Sequence, residues 1–201
     1  MWSLIQAAGW PIWLLIVSSV IALALIIERL WMLRQSTVAP AGLVDKVLDE
    51  FKQRGLTQEL VNKTAQQGPL GRILAAGLVN VRSSRAVMKE SIEEAGQAVS
   101  YDLERFLTTL GTIAAMSPLM GLFGTVVGMI EIFGSASPTT GNPGQLAHGI
   151  SVALYNTAYG LIVAIPSMAF YRHFRRKVDE LVLEMEQQAV KLVEVANQER
   201  K

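Results

Sequence analysis

The chain has 201 residues, of which 51% are hydrophobic and 17% are charged, and it contains no cysteine. A net charge of +1 gives no basic excess of the kind that marks a nucleic-acid-binding protein. The lack of cysteine excludes disulfides and thiolate metal sites. The charged residues are unevenly distributed, and three long stretches contain none.

These three uncharged stretches are long enough to cross a membrane. They cover residues 1–27 (most apolar from Pro11 onward), 107–130 and 150–170. About 20 apolar residues cross a bilayer core as a helix. The sequence therefore predicts an all-α membrane protein with three transmembrane helices; the alternative is a soluble protein with three buried helices. Because the first stretch lacks a basic start and a small-residue cleavage signal, we expect a retained anchor rather than a signal peptide.

The positions of lysine and arginine predict the orientation. Eleven of the 18 lie between Arg29 and Arg105, and the other seven lie between Arg172 and Lys201. Because cytoplasmic loops are enriched in these residues, we expect a periplasmic N-terminus and a cytoplasmic C-terminus. The predicted regions are a periplasmic N-terminus with the first transmembrane helix (1–33), a cytoplasmic helical region (34–106), the second transmembrane helix (107–133), a periplasmic loop (134–148), the third transmembrane helix (149–171) and a cytoplasmic helical tail (172–201).

Helical spacing of apolar residues predicts long helices that extend into the cytoplasm. One short helix is predicted around 43–51, ending at Gly55, and another at 71–81. A longer pattern starts at Met88 and enters the second span without interruption, which predicts one helix over about 85–133. In the tail, a short heptad pattern over 178–195 fits packing on neighbouring subunits or docking on the same chain.

Small residues form a narrow strip on the second span, and the pair Gly124-x-x-x-Gly128 is a close-packing motif of membrane helices. The residues predicted for helix packing are Gly121, Gly124, Gly128 and Gly160. Pro118 and Pro166 lie within the second and third spans, where a proline bends or loosens a helix, and we predict a kink at each.

The centre of the third span is unexpectedly polar. Asn156 needs hydrogen-bond partners in lipid, so it faces either a contact between helices or a polar cavity. The hydroxyl of Thr125 in the second span can bond to the carbonyl one turn back, so by itself it is ambiguous. Only His148 and His173 are present as histidines, and no phosphate loop, nucleophile–base pair or carboxylate pair is evident. We therefore expect no enzyme, no cofactor and no metal site.

Two segments resemble a known pair of membrane signatures. SPLMGLFGTVVGMI (117–130) and GISVALYNTAYGLIVAIPS (149–167) closely resemble those of the ExbB/TolQ/MotA proton-channel family. The three-span layout with a cytoplasmic insert and a helical tail is similar to the ExbB/TolQ branch along nearly the whole chain. MotA-type flagellar stators differ, with four spans and a larger cytoplasmic part.

The resemblance implies a ring of five such subunits in the bacterial inner membrane, in contact with lipid, around the single spans of an ExbD- or TolR-like partner. Protonmotive force would drive this complex and energise outer-membrane transport through a TonB- or TolA-like protein. We expect the glycine strip at 121–128 and the cytoplasmic helices to hold the homo-pentamer. The alternatives are a TolQ-like subunit for envelope maintenance, a non-conducting membrane scaffold and a small-solute transporter.

The same resemblance implies the residues of the ion path. Thr125 and Thr157 match the family's pore threonines, and Val152 stands where the third-span signature usually has glutamate or another polar residue. Asn156, one turn after Val152 on the same face, is a candidate to replace the missing polar group. We therefore assign Thr125, Thr157, Asn156 and Val152 to the ion path and expect the protonatable group, an aspartate, on the partner's span.

Overall fold

The computed structural model describes residues 9–135 and 143–198, and every regular element in these ranges is an α-helix. The helices are α1 (Pro11–Met32), α2 (Gln35–Val38), α3 (Leu43–Arg54), α4 (Gln58–Ala65), α5 (Gly68–Val79), α6 (Arg85–Glu104), α7 (Leu107–Ser135) and α8 (Pro143–Gln198). Within the described ranges, three segments are long and apolar enough to cross a membrane: Pro11–Met32, Arg85–Gly134 and Gly149–Val195. The all-helical fold with three candidate spans is therefore confirmed.

The chain divides into two compact units. One is formed by Met1–Glu28 and Phe106–His173, and the other by Arg29–Arg105 and Phe174–Lys201. Most of α1, α7 and the first half of α8 belong to the first unit, which we call the span unit. Helices α2–α6 and the second half of α8 belong to the other, which we call the charged unit because it contains nearly all the charged side chains.

The span unit exposes a wide apolar surface. Large aliphatic side chains on all three helices lie outward, among them Val20, Leu23, Ile130, Ile162 and Ile165. At one edge, the rings of Trp10 and Phe123 meet edge to face with centroids 5.9 Å apart. An exposed apolar surface of this extent fits contact with lipid or with other membrane chains.

The charged unit has a conventional hydrophobic core centred on α5. The α5 side chains that are fully buried are Leu70, Ile73, Leu74 and Leu78. Glycine at 77 allows α5 to approach α6 and α8, because a Cβ there would lie 2.9 Å from Leu192 and 3.0 Å from Ile92. On α8, Val178, Leu181, Met185 and Leu192 of the predicted heptad pattern are fully buried. The tail therefore docks on its own chain, which was one of the two alternatives.

Helix boundaries in the charged unit follow from local sequence signals. Gly55 ends α3 with a positive φ of 69°, which glycine adopts readily, as its position after the apolar pattern predicts. Thr57 caps α4 and Ser84 caps α6, each accepting a backbone N–H three residues on. The helix predicted at 71–81 is present as α5, and it starts earlier because Pro69 occupies its first turn. Helices α2 and α4 were not predicted.

The prediction of one uninterrupted helix over 85–133 is wrong. Helix α6 ends at Glu104 and α7 starts at Leu107, with Phe106 at φ 66° between them. The guanidinium of Arg29, which is only 3% exposed, donates to the Leu103 carbonyl at 3.0 Å. That carbonyl would accept the Leu107 N–H in a continuous helix, so Arg29 supplies the donor that the break removes.

The predicted periplasmic loop at 134–148 falls partly outside the described residues, since 136–142 are not described. Helix α7 continues to Ser135 and α8 already begins at Pro143, so helical structure extends into both ends of this predicted loop. The membrane orientation and the boundaries of the predicted regions stay predictions.

Candidate functional site

Glycines bring α7 and α8 into close contact in the span unit. A Cβ built on Gly121 would lie 2.7 Å from the Asn156 carbonyl oxygen and 2.9 Å from the Thr157 Cα. On α8, a Cβ at Gly160 would lie 2.6 Å from the Ser117 carbonyl oxygen. Only residues without a side chain permit backbones to approach this closely, as in other small-residue contacts between membrane helices.

The other glycines of the strip face the same helix. A Cβ on Gly124 would lie 2.8 Å from the side chain of Asn156, and one on Gly128 would lie 3.2 Å from Ala153. The strip at 121–128 is therefore occupied by α8 of the same chain. Its expected role in holding the pentamer stays a prediction.

This close approach places two threonine hydroxyls in direct contact. Thr125 Oγ1 lies 2.6 Å from Thr157 Oγ1, 3.1 Å from the carbonyl oxygen of Ala153 and 3.2 Å from that of Gly121. Both threonine side chains are half-buried. The structure thus joins two residues that are 32 positions apart in the chain and that the family resemblance assigns to the ion path.

Asn156 lies inside the contact between α7 and α8. It is 1% exposed, and its side chain faces the position that a Cβ of Gly124 would occupy. The sequence left open whether Asn156 faces a contact between helices or a polar cavity. Within one chain it faces the contact between α7 and α8. Val152, one turn earlier, is half-exposed. Their assignment to an ion path stays a prediction.

Both prolines lie inside continuous helices. Helix α7 runs through Pro118 and α8 runs through Pro166. Each proline is next to a buried serine whose hydroxyl donates to the carbonyl four residues earlier, Ser117 to Ile113 and Ser167 to Val163, both at 2.7 Å. These serines satisfy their own hydroxyls within the helix. A kink at either proline stays a prediction.

One part of the site could not be read from side chains. The Ala153 carbonyl accepts from Thr125 across the helix contact, yet a backbone acceptor has no residue signature. The available signal is its register, because Ala153 lies four residues before Thr157 and hence directly below it on the helix.

Comparison with known proteins identifies the family to which these segments belong. The profile of the MotA/TolQ/ExbB proton channel family matches residues 65–187, which include both threonines and both signature segments. The chain is 34% identical to a Synechocystis biopolymer transport protein designated ExbB-like 3 over 78% of this chain and 76% of that protein. It is 32% identical to biopolymer transport protein exbB1 of Vibrio cholerae over 82% and 74% of the two chains.

A third relative, biopolymer transport protein ExbB of Salmonella typhimurium, is 32% identical over 72% of this chain and 59% of its own length. The matched family comprises proton channels and transport components rather than enzymes. The matched segment, the three candidate spans and these relatives agree with the resemblance of the two signatures. The chain belongs to the MotA/TolQ/ExbB proton channel family.

Proposed function

We propose that the chain is the ExbB-like subunit of a proton-driven complex of the bacterial inner membrane, with a periplasmic N-terminus and a cytoplasmic C-terminus. The distribution of lysine and arginine supports this orientation. Membership of a proton channel family supports the proton as the coupling ion. Relatives named biopolymer transport proteins support a role in transport.

The contact between Thr125 and Thr157 is the observation that carries the proposal. It places two hydroxyls and two helix carbonyls together in the contact between α7 and α8. Such groups order water and hydrogen-bond to a proton-bearing group, but they do not themselves bind and release a proton at neutral pH. The complex therefore needs a titratable group from elsewhere, which we assign to an aspartate on the single span of an ExbD- or TolR-like partner.

The assembly that follows is a homo-pentamer around the partner's spans. Since the glycine strip is covered within the subunit, the subunits would also meet through other surfaces, including the exposed apolar side chains of the span unit. The complex would transmit energy to a TonB- or TolA-like protein. Native mass spectrometry of the purified chain in mild detergent should show five copies, whereas monomers alone would contradict this assembly.

Proton flux through the complex tests the function. The chain and its partner are reconstituted in liposomes with an imposed pH gradient, and flux is followed with a dye inside the vesicles. We expect Thr125→Val and Thr157→Val to lower the flux while the pentamer still forms, because each removes a hydroxyl and conserves side-chain volume. Thr112→Val is the matched control on α7, since within the described part of the chain its hydroxyl bonds only to the Thr108 carbonyl one turn back, at 2.9 Å.

A non-conducting scaffold predicts a different result. It requires the glycine contact but not the hydroxyls, so both valine variants would support transport as well as the unaltered chain does. Normal flux and normal transport in both variants would therefore reject the conducting role of this pair.

A further inference from the structure

The two threonines of the pair occupy unequal positions in the hydrogen-bond network. Thr125 Oγ1 lies within hydrogen-bond distance of three acceptors: the Gly121 carbonyl, the Ala153 carbonyl and the Thr157 hydroxyl. Among the described residues, Thr157 Oγ1 has a side-chain hydrogen bond only to Thr125. Thr125 is therefore the member of the pair with more hydrogen-bond contacts, and Thr157 is the member with fewer.

The number of protons limits which of these contacts can be hydrogen bonds at the same time. A threonine hydroxyl has one proton to donate and two lone pairs, and a carbonyl oxygen can only accept. The contacts of Thr125 with the carbonyls of Gly121 and Ala153 therefore both require the Thr125 proton. When the Thr125 proton goes to these carbonyls, the 2.6 Å contact between the hydroxyls is a hydrogen bond in which Thr157 donates to Thr125. If Thr125 donated to Thr157 instead, neither carbonyl would receive that proton.

We infer that the pair forms a directed relay in which Thr157 donates to Thr125 and Thr125 donates to the backbone of α7 and α8. In this arrangement Thr125 is a positioning residue that holds the two helices together and orients Thr157. Thr157 retains only acceptor capacity, so the group that it binds is a hydrogen-bond donor, such as a protonated carboxyl or a water molecule. This inference rests on the proposed function for the identity of that donor.

The relay distinguishes the two protonation states of a carboxyl group on the partner. A protonated carboxyl donates to Thr157 and leaves the relay intact. A carboxylate can only accept, so Thr157 must turn its proton outward and give up its bond to Thr125. Deprotonation of the partner would therefore loosen the contact between α7 and α8 at this point.

Hydrogen exchange of the backbone amides in residues 149–160 tests the inequality of the two threonines without any measurement of flux. Thr125→Val removes the bond between the hydroxyls and the bond to Ala153, whereas Thr157→Val removes only the first. We expect local opening to increase about threefold for each lost interhelical bond, so Thr125→Val has the larger effect. The double variant should match Thr125→Val alone, because no bond remains for the second substitution to remove.

The serine variants and the partner provide the other arms. Thr125→Ser and Thr157→Ser keep the hydroxyls, so their exchange rates and proton flux should match those of the unaltered chain. Loss of packing alone would not predict this result. A partner span with asparagine in place of its aspartate is a permanent donor, and it should co-purify better than one with leucine. Thr157→Val should abolish that preference.

Each outcome assigns a cause. Equal exchange in the two single valine variants, or greater exchange in Thr157→Val, would overturn the relay. An asparagine preference that survives Thr157→Val would overturn the acceptor role of Thr157. Absence of proton flux in the unaltered complex would reject the proposed function, while the exchange comparison would still decide the arrangement of the pair.

Discussion

The span unit and the charged unit are both helical, but they use opposite kinds of side chain to bring helices together. In the charged unit, large aliphatic residues of α5 and α8 are fully buried, including Leu74 and Leu192. In the span unit, α7 and α8 meet through glycines, and the closest neighbours of Gly121 are backbone atoms of α8. The large side chains of the span unit mostly lie on its outer surface.

This difference follows from the solvent of each region. In water, burial of a large aliphatic side chain stabilises the fold by about 1.5–3 kcal/mol. Lipid chains are as apolar as leucine, so burial of leucine there gains little, and helices associate through close van der Waals contact and hydrogen bonds. Backbones that approach closely also bring hydroxyls near carbonyls. The packing that suits a membrane is therefore also the packing that builds the Thr125–Thr157 site.

Truncation of a buried leucine should have the largest effect in this comparison. Leu192→Ala empties a fully buried position against Gly77 in the charged unit and should cost about 2–5 kcal/mol. Leu183→Ala is the matched control on α8, because Leu183 is 56% exposed and should cost at most about 0.5 kcal/mol. Thermal unfolding of the purified protein, followed by circular dichroism, measures both. Equal effects would show that the core assigned to the charged unit is wrong.

The same glycine-to-alanine substitution should separate the two units. Alanine at 121 places its Cβ 2.7 Å from a carbonyl oxygen of α8, so the helices must move apart, at about 1–3 kcal/mol. For alanine at 77 the nearest atoms are side-chain atoms, Cδ2 of Leu192 and Cδ1 and Cγ1 of Ile92, which can shift more readily than backbone. Alanine has a higher helix propensity than glycine, by about 0.8–1 kcal/mol, and this gain offsets part of the cost of the close contacts at each position.

Gly134→Ala is the control for these two variants, because no neighbouring atom lies within 4 Å of its Cβ position. The transition temperature should fall most for Gly121→Ala, less for Gly77→Ala and not at all for Gly134→Ala. Greater destabilisation by Gly77→Ala than by Gly121→Ala would contradict the distinction between backbone and side-chain neighbours.

The sequence predicted well what depends on local pattern and composition. Spans were visible as uncharged stretches, and Gly55 marked the end of α3 because glycine readily adopts the positive φ found there. The assignment of Thr125 and Thr157 to the pore was implied only by family resemblance, and their contact was not predicted, since a separation of 32 residues carries no local signal. Even then, the Ala153 carbonyl and the buried Arg29 were missed, because both act through backbone oxygens that every residue has.

The break between α6 and α7 shows the opposite failure, in which a correct local pattern gave a wrong helix. Apolar residues continue through this point at helical spacing, and both Leu103 and Leu110 are buried. Phe106 belongs to the same pattern, yet it is 40% exposed and lies in the left-handed region. Periodicity reports which residues face a core, but it does not report a residue such as Phe106 whose backbone leaves the helical conformation.

The smallest expected effect concerns Phe106, where the chain passes from one unit to the other. The left-handed conformation costs a non-glycine residue about 1–2 kcal/mol, and glycine adopts it without that cost. Phe106→Gly relieves the cost but gives up part of the phenyl packing and adds flexibility to the unfolded chain, which is worth about 0.4–1 kcal/mol. We therefore expect a change in the free energy of unfolding within about 1 kcal/mol. Phe106→Val should destabilise more, because a β-branched residue is strained at φ 66°. Thermal unfolding of both variants separates backbone from side chain: if glycine is as harmful as valine, the phenyl ring, and not the backbone conformation, is what position 106 requires.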